Sequence, residues 1–134
     1  AVEIVKSLSE VHLNYLSLIF LCKQTKMNGI NSIESLKEHC EYICAKMPVT
    51  NGIESSIPFL HMLRLLTISL GSAAEVYSKQ YNLDIDKVKE ILPLAMNSIP
   101  GDYSLTPVGI IIAIINIRNK TNLNLDFKIW IKSI

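Results

Sequence analysis

The sequence predicts an all-α fold: a single compact domain of five or six helices around a central hydrophobic helix at about residues 107–117. Three observations carry that expectation. Thr106-Pro107 opens a run, Val108 to Ile117, that has no polar face at either a helical or a strand period. Several stretches upstream repeat apolar residues at steps of three and four, the spacing that lines one side of a helix. With 134 residues, 49% of them hydrophobic and 19% charged, the chain is long enough to bury a core without disulfides or metals as staples.

Val2 to Met27 reads as the first helix, with Ile4, Leu8, Val11, Tyr15, Leu18 and Cys22 on its stripe and Asn28-Gly29 as its stop. Asn31 or Ser32 then caps a second helix, with Glu34 three residues after Asn31 as in a capping box. Its apolar face is Ile33, Leu36, Cys40, Ile43 and Met47, and Pro48 ends it. Ser55 or Ser56 with Pro58 opens a third helix through Leu60, Leu63, Leu66, Thr67, Leu70, Ala74 and Tyr77. Its interior holds Gly71-Ser72-Ala73-Ala74, small residues that would let another helix come close, and Gly109 and Ala113 offer the matching small pair. Tyr81-Asn82 interrupts, Asp84 or Asp86 caps a new start, and Pro93 kinks or ends the pattern of Val88, Ile91, Leu92 and Ala95. Asn97 to Leu105 reads as loop.

The Ile-rich run begins with threonine before proline, which caps free N–H groups and places the ring where its missing N–H costs nothing. Its β-branched residues would also suit a buried strand; the Thr-Pro start favours the helix. At about 1.5 Å per residue the helix would be roughly 16 to 18 Å long, short of the ~30 Å hydrocarbon core, so no stable membrane insertion is expected. The tail Asp126 to Ile134 alternates like a strand at Phe127, Ile129 and Ile131, but an all-helical domain offers it no partner, so a short helix is expected.

A net charge of +1 gives no overall pull toward nucleic acid or anionic lipid, so such binding would need a local patch. Cys22, Cys40 and Cys44 are an odd number without framework spacing. They favour free thiols in a reducing, intracellular compartment over one disulfide with a spare. No leader pattern is visible at the start, and the Ala1 start suits a fragment of a longer chain. The excess of isoleucine and asparagine suits an AT-rich coding genome, as in a virus, phage or low-GC bacterium.

Ser78-Lys79-Gln80-Tyr81-Asn82-Leu83-Asp84-Ile85-Asp86-Lys87-Val88-Lys89-Glu90-Ile91 resembles the helix-turn-helix of DNA-binding regulators over about a tenth of the chain. Asn82 stands where such motifs favour glycine, and Asp84 and Asp86 would meet phosphate with the wrong sign. His39, Cys40 and Cys44 share a helix, but structural zinc needs four well-placed ligands and the fourth would have to be Cys22 or a distant histidine, so packed thiols are expected and no metal. There is no nucleophile elbow, no phosphate-cradling glycine loop and no cysteine at a helix start; Glu34, Glu38 and Glu41 read as a solvated face. No catalytic residue and no cofactor site is expected.

The resulting expectation is a non-enzymatic interaction or assembly domain, self-associating through apolar helix faces and a C-terminal arm anchored by Phe127, Trp130, Ile131 and Ile134. The alternative is nucleic-acid binding through Lys79, Lys87 and Lys89 at the 78–91 corner, or through a basic arm of Arg118, Lys120, Lys128 and Lys132.

Overall fold

Asn14 to Cys22 are all buried, so the most enclosed element is the first helix, α1, Glu10–Lys23. The computed structural model describes residues 8–125. Within them the protein is mostly helical, with six α-helices and one small sheet. Ser9 is extended and caps α1 reciprocally with His12: the His12 N–H donates to Ser9 Oγ at 3.3 Å and the Ser9 N–H to His12 Nδ1 at 3.2 Å. That cap starts this helix at Glu10; the part of the expected helix from Val2 to Ser7 lies outside the described residues. Its other end comes at Lys23, four residues before Met27, because neighbours claim the next backbone groups. Gln80 Nε2 donates to Thr25 O at 3.0 Å and the Met27 N–H donates to Tyr81 Oη at 2.9 Å.

α2, Ile33–Lys46, starts at Ser32, which shares a reciprocal cap with Ser35 in place of the expected Asn31 and Glu34 pair. Leu36, Cys40, Ile43 and Met47 are buried as the spacing predicts. A short 3₁₀ turn, Ile53–Ser56, leads into α3, Ile57–Met62. There the expected long third helix stops. The Arg64 N–H bonds His61 O and the Leu65 N–H reaches back to Leu60 O, with Arg64 at φ 61°. This is the left-handed closure of a helix end, and Leu60 and Leu65, which it brings together through the backbone, are both fully buried.

Beyond the stop, β1, Leu66–Ile68, pairs antiparallel with β2, Tyr103–Leu105, in the register Leu66 to Leu105, Thr67 to Ser104 and Ile68 to Tyr103. The all-α expectation is thus corrected by a two-stranded sheet, and the expected loop 97–105 supplies half of it. The pairing continues as Ser69 N–H to Asp102 O and Gly71 N–H to Gly101 O, both at 2.8 Å. Gly71 sits at φ 135° outside any helix, and Ser72 caps α4, Ala73–Tyr81. The small run 71–74 is therefore a strand-to-helix connection and not a groove for Gly109. Asn82 at φ 53° turns α4 into α5, Ile85–Ile91, which Asp84 caps. A second 3₁₀ turn, Leu94–Ser98, follows Pro93.

α6, Pro107–Lys120, begins as read: Thr106 Oγ1 accepts the Gly109 N–H at 3.3 Å and Pro107 stands in the first turn. It packs along α1 and against β2, while α4 and the 53–56 turn also lie on α1. α2 packs on α5 and the 94–98 turn. α1 thus holds the centre that the sequence suggested for α6. Two adjacent side chains tie it to the sheet. Lys23 Nζ donates to Ser69 O, Pro100 O and Tyr103 O at 2.7, 3.1 and 2.8 Å. Gln24 exchanges two hydrogen bonds with the Leu105 backbone, closing the outer edge of β2 as a neighbouring strand would.

Candidate interaction surface

α6 divides into two faces. Ile110, Ile112, Ala113, Ile114, Asn116 and Ile117 turn inward and are buried. Val108, Ile111 and Ile115 turn outward and are 41, 49 and 56% exposed. These three recur at steps of three and four, so they form one ridge along the helix. Pro107 is exposed beside them, and the first exposed polar residue of the helix is Arg118. The solvent face of α6 therefore carries no polar group for about three turns.

The inner face is not wholly apolar. Asn116 Nδ2 donates to Ser17 Oγ at 2.8 Å and to Asn14 Oδ1 at 3.2 Å, and Asn14 Nδ2 donates to Pro48 O at 2.9 Å. Lys120 Nζ extends this chain to Asn14 Oδ1 and to the Glu10 carboxylate, each at 2.7 Å. The Lys120 ammonium holds the exposed Glu10 carboxyl below the ordinary carboxylate range. This network fixes the rotation of α6 on α1, and so fixes which residues form the outer ridge. The signal for it was Asn116, the polar residue within the isoleucine run, and Asn14 with Ser17, three apart on one face of α1.

Among the described residues, the others singled out from the sequence do not converge. Lys79, Lys87 and Lys89 are exposed on the α4–α5 corner, among Glu75, Asp84, Asp86 and Glu90, also exposed. The corner forms as its spacing implies, with Asn82 left-handed, but α5 has only seven residues. It packs on α2, whereas Arg118 and Lys120 end α6, which packs on α1. Lys120 is committed to Glu10 and Asn14. Phe127, Lys128, Trp130, Ile131, Lys132 and Ile134 lie outside the described residues.

The thiols are free, and burial pushes Cys22 and Cys40 up to about 12 and Cys44 up to about 11. Such groups stay protonated and unreactive at neutral pH. Cys22 and Cys40 face the hydroxyl of the fully buried Tyr77. Among the described residues no group of three or more His, Cys, Asp or Glu could hold a metal ion.

One serine does meet a histidine: His12 Nε2 lies 3.2 Å from Ser56 Oγ. Its Nδ1 accepts the Ser9 N–H, however, so the proton sits on Nε2 and the ring donates to Ser56. A base that activates serine needs the opposite tautomer. A cleft of about 510 Å³ between residues 49–54 and 94–98 has one ionisable group in its lining, Glu54. No helix among the described residues is long and apolar enough to cross a membrane.

No curated protein and no solved structure matches the chain. The model of a protein family of unknown function does match it, over residues 1–93 and 86–131. Those two stretches take in all six helices and both strands, and the chain belongs to that family.

Proposed function

We propose that this protein is a non-enzymatic interaction domain that self-associates through the outer face of α6, with the C-terminal arm as a second contact. One observation carries the reading: Val108, Ile111 and Ile115 form an exposed apolar ridge on a helix whose rotation is locked by the Asn14–Ser17–Asn116 network. A ridge spaced three and four apart packs against its own copy about a two-fold axis, each helix filling the grooves of the other. Branched isoleucine and valine lose little side-chain freedom in doing so. A net charge of +1 puts no long-range repulsion between copies.

The test is molar mass in solution by sedimentation or light scattering. The unaltered chain should form a dimer, and Ile111→Glu with Ile115→Glu should return it to monomer with its helical content and melting unchanged. Deleting 126–134 should weaken the association as well. A strictly monomeric protein at high concentration overturns the reading. Retention on nucleic acid that falls steeply with salt and weakens on Lys87→Glu would favour the alternative, which Asp84 and Asp86 at the start of α5 and the engagement of Lys120 make the weaker.

A further inference from the structure

The two edges of the small sheet are finished differently. On β2, Gln24 exchanges hydrogen bonds with the Leu105 backbone and closes the outer edge. On β1, Leu65 O accepts the Thr106 N–H, and the Ser69 and Gly71 N–H groups donate to Asp102 O and Gly101 O, so these residues point inward to the partner strand. Alternation along the strand then turns the backbone groups of Ile68 and Leu70 outward, where no other described strand lies.

That open edge lacks the usual guards against pairing. From Leu65 to Ala74 the sequence has no charged residue and no proline. Ile68 and Leu70 are 77 and 79% exposed, and Met62, on the helix that packs against β1, is also exposed. Backbone donors and acceptors flanked by apolar side chains fit an extended peptide segment, which bonds through its main chain and seats every second side chain against Ile68 and Leu70. Antiparallel addition is the better bonded direction, and it sets the C-terminal end of the segment beside Arg64, exposed at the start of β1. A second copy of β1 brings no acid from its own uncharged stretch 65–74 to meet that guanidinium.

We propose that the β1 edge binds an extended segment of another protein chain, antiparallel to β1, apolar at alternate positions and acidic at its C-terminal end, where a carboxylate pairs with Arg64. The proposal does not use the α6 ridge, so it and the self-association reading fail separately.

The probe is a labelled synthetic peptide with blocked ends that alternates valine with threonine and finishes in glutamate. In the dilute full chain alone, the amides of Ile68 and Leu70 should exchange with solvent quickly, and those of Ser69 and Gly71, paired inward, slowly. Adding the peptide should slow exchange at Ile68 and Leu70 and raise the peptide's fluorescence anisotropy. Methylating every backbone nitrogen of the peptide should abolish binding, and Leu70→Lys should weaken it several-fold. Arg64→Gln should weaken the glutamate-ended peptide several-fold and leave a glutamine-ended one unaffected. Circular dichroism melts establish that both variants are folded. The proposal is overturned if the peptide does not bind, if its methylated form binds equally well, or if both folded variants bind it as the unaltered chain does. Protection of Ile68 and Leu70 in the dilute chain alone also overturns it, as does a fall in the protein's own molar mass on Leu70→Lys, which would give the edge to a second copy.

Discussion

The side-chain amide of Asn116 donates to Ser17 Oγ at 2.8 Å inside the contact between α6 and α1, where Asn116 is 6% exposed and Ser17 fully buried. The same amide reaches Asn14 Oδ1 at 3.2 Å, so its two N–H groups are both used. Replacing Asn116 with Ala removes both of these donations, leaving Asn14 Oδ1 with Lys120 alone and Ser17 Oγ with only its own donation to Leu13 O. Each such loss costs about 1 to 3 kcal/mol, and the whole should be roughly 2 to 4 kcal/mol in urea unfolding. Converting Ser17 to Ala in the same chain should cost less than the sum of the two single changes, since the serine no longer leaves an unmet group. Simple additivity would mean that the hydrogen bond carries no coupling.

Gly109 stands against the backbone of Leu65: a β-carbon placed there would lie 2.6 Å from the Leu65 carbonyl oxygen and 3.2 Å from Leu105 Cβ. That carbonyl cannot retreat freely, because it accepts the Thr106 N–H at 3.0 Å. Gly109→Ala gains about 1 kcal/mol of helix propensity but forces the sheet and α6 apart. The clash should win, with a net loss of about 1 to 3 kcal/mol in thermal or urea unfolding. A stabilised Gly109→Ala would show that the α6 start lies farther from Leu65.

Much of the helical frame was legible because its punctuation is local. Thr106-Pro107, Ser32, Asn82 and Asp84 each act within one turn of themselves, and each marks an element boundary. The break after α3 was not legible for three physical reasons. Leu63, Leu66, Thr67 and Leu70 keep helical spacing by coincidence; the closing residue is Arg64, which gives no glycine signal; and β1 is defined only by a partner some forty residues on. Gly71-Ser72 looked like a helix interior for the same reason. The exposed ridge was hidden in the isoleucine run, since an apolar helix does not say which side another helix covers. Asn116 marks the inner side, but only once Asn14 and Ser17 are known to face it.

Lys23 gathers three carbonyls at one end of the sheet: Ser69 just after β1, Pro100 ahead of β2, and Tyr103, the first residue of β2. Burial lowers its pKa, so the ammonium has given up part of its hydration and depends on these oxygens in its place. Lys23→Met keeps the length and removes the donors. It should lower stability by about 2 to 3 kcal/mol and, more tellingly, speed hydrogen exchange at the amides of Ser69 and Gly71, which continue the strand pairing. Arginine should not restore the wild-type exchange, because a planar fork cannot meet three convergent carbonyls as an ammonium does. Unchanged exchange in Lys23→Met would mean that Gln24 alone ties the sheet to α1.

His39 couples folding to pH. Burial pushes it from an ordinary 6.5 down to about 4, so between those values the unfolded chain takes up a proton that the folded chain refuses. Stability is therefore fully present above about 6.5 and is lost as pH falls toward 4. Between pH 7 and pH 5 the loss should be on the order of 1 to 2 kcal/mol. Glu10 acts in a lower window: Lys120 holds its carboxyl below 4.5, so its contribution is present above that value and is lost as pH falls below it. Urea midpoints at pH 7 and pH 5 thus isolate the histidine. They should fall in the unaltered chain and fall by clearly less in His39→Phe, which keeps a ring at this position of α2 and removes the proton site. Equal falls in the two proteins would place the acid sensitivity elsewhere than at His39.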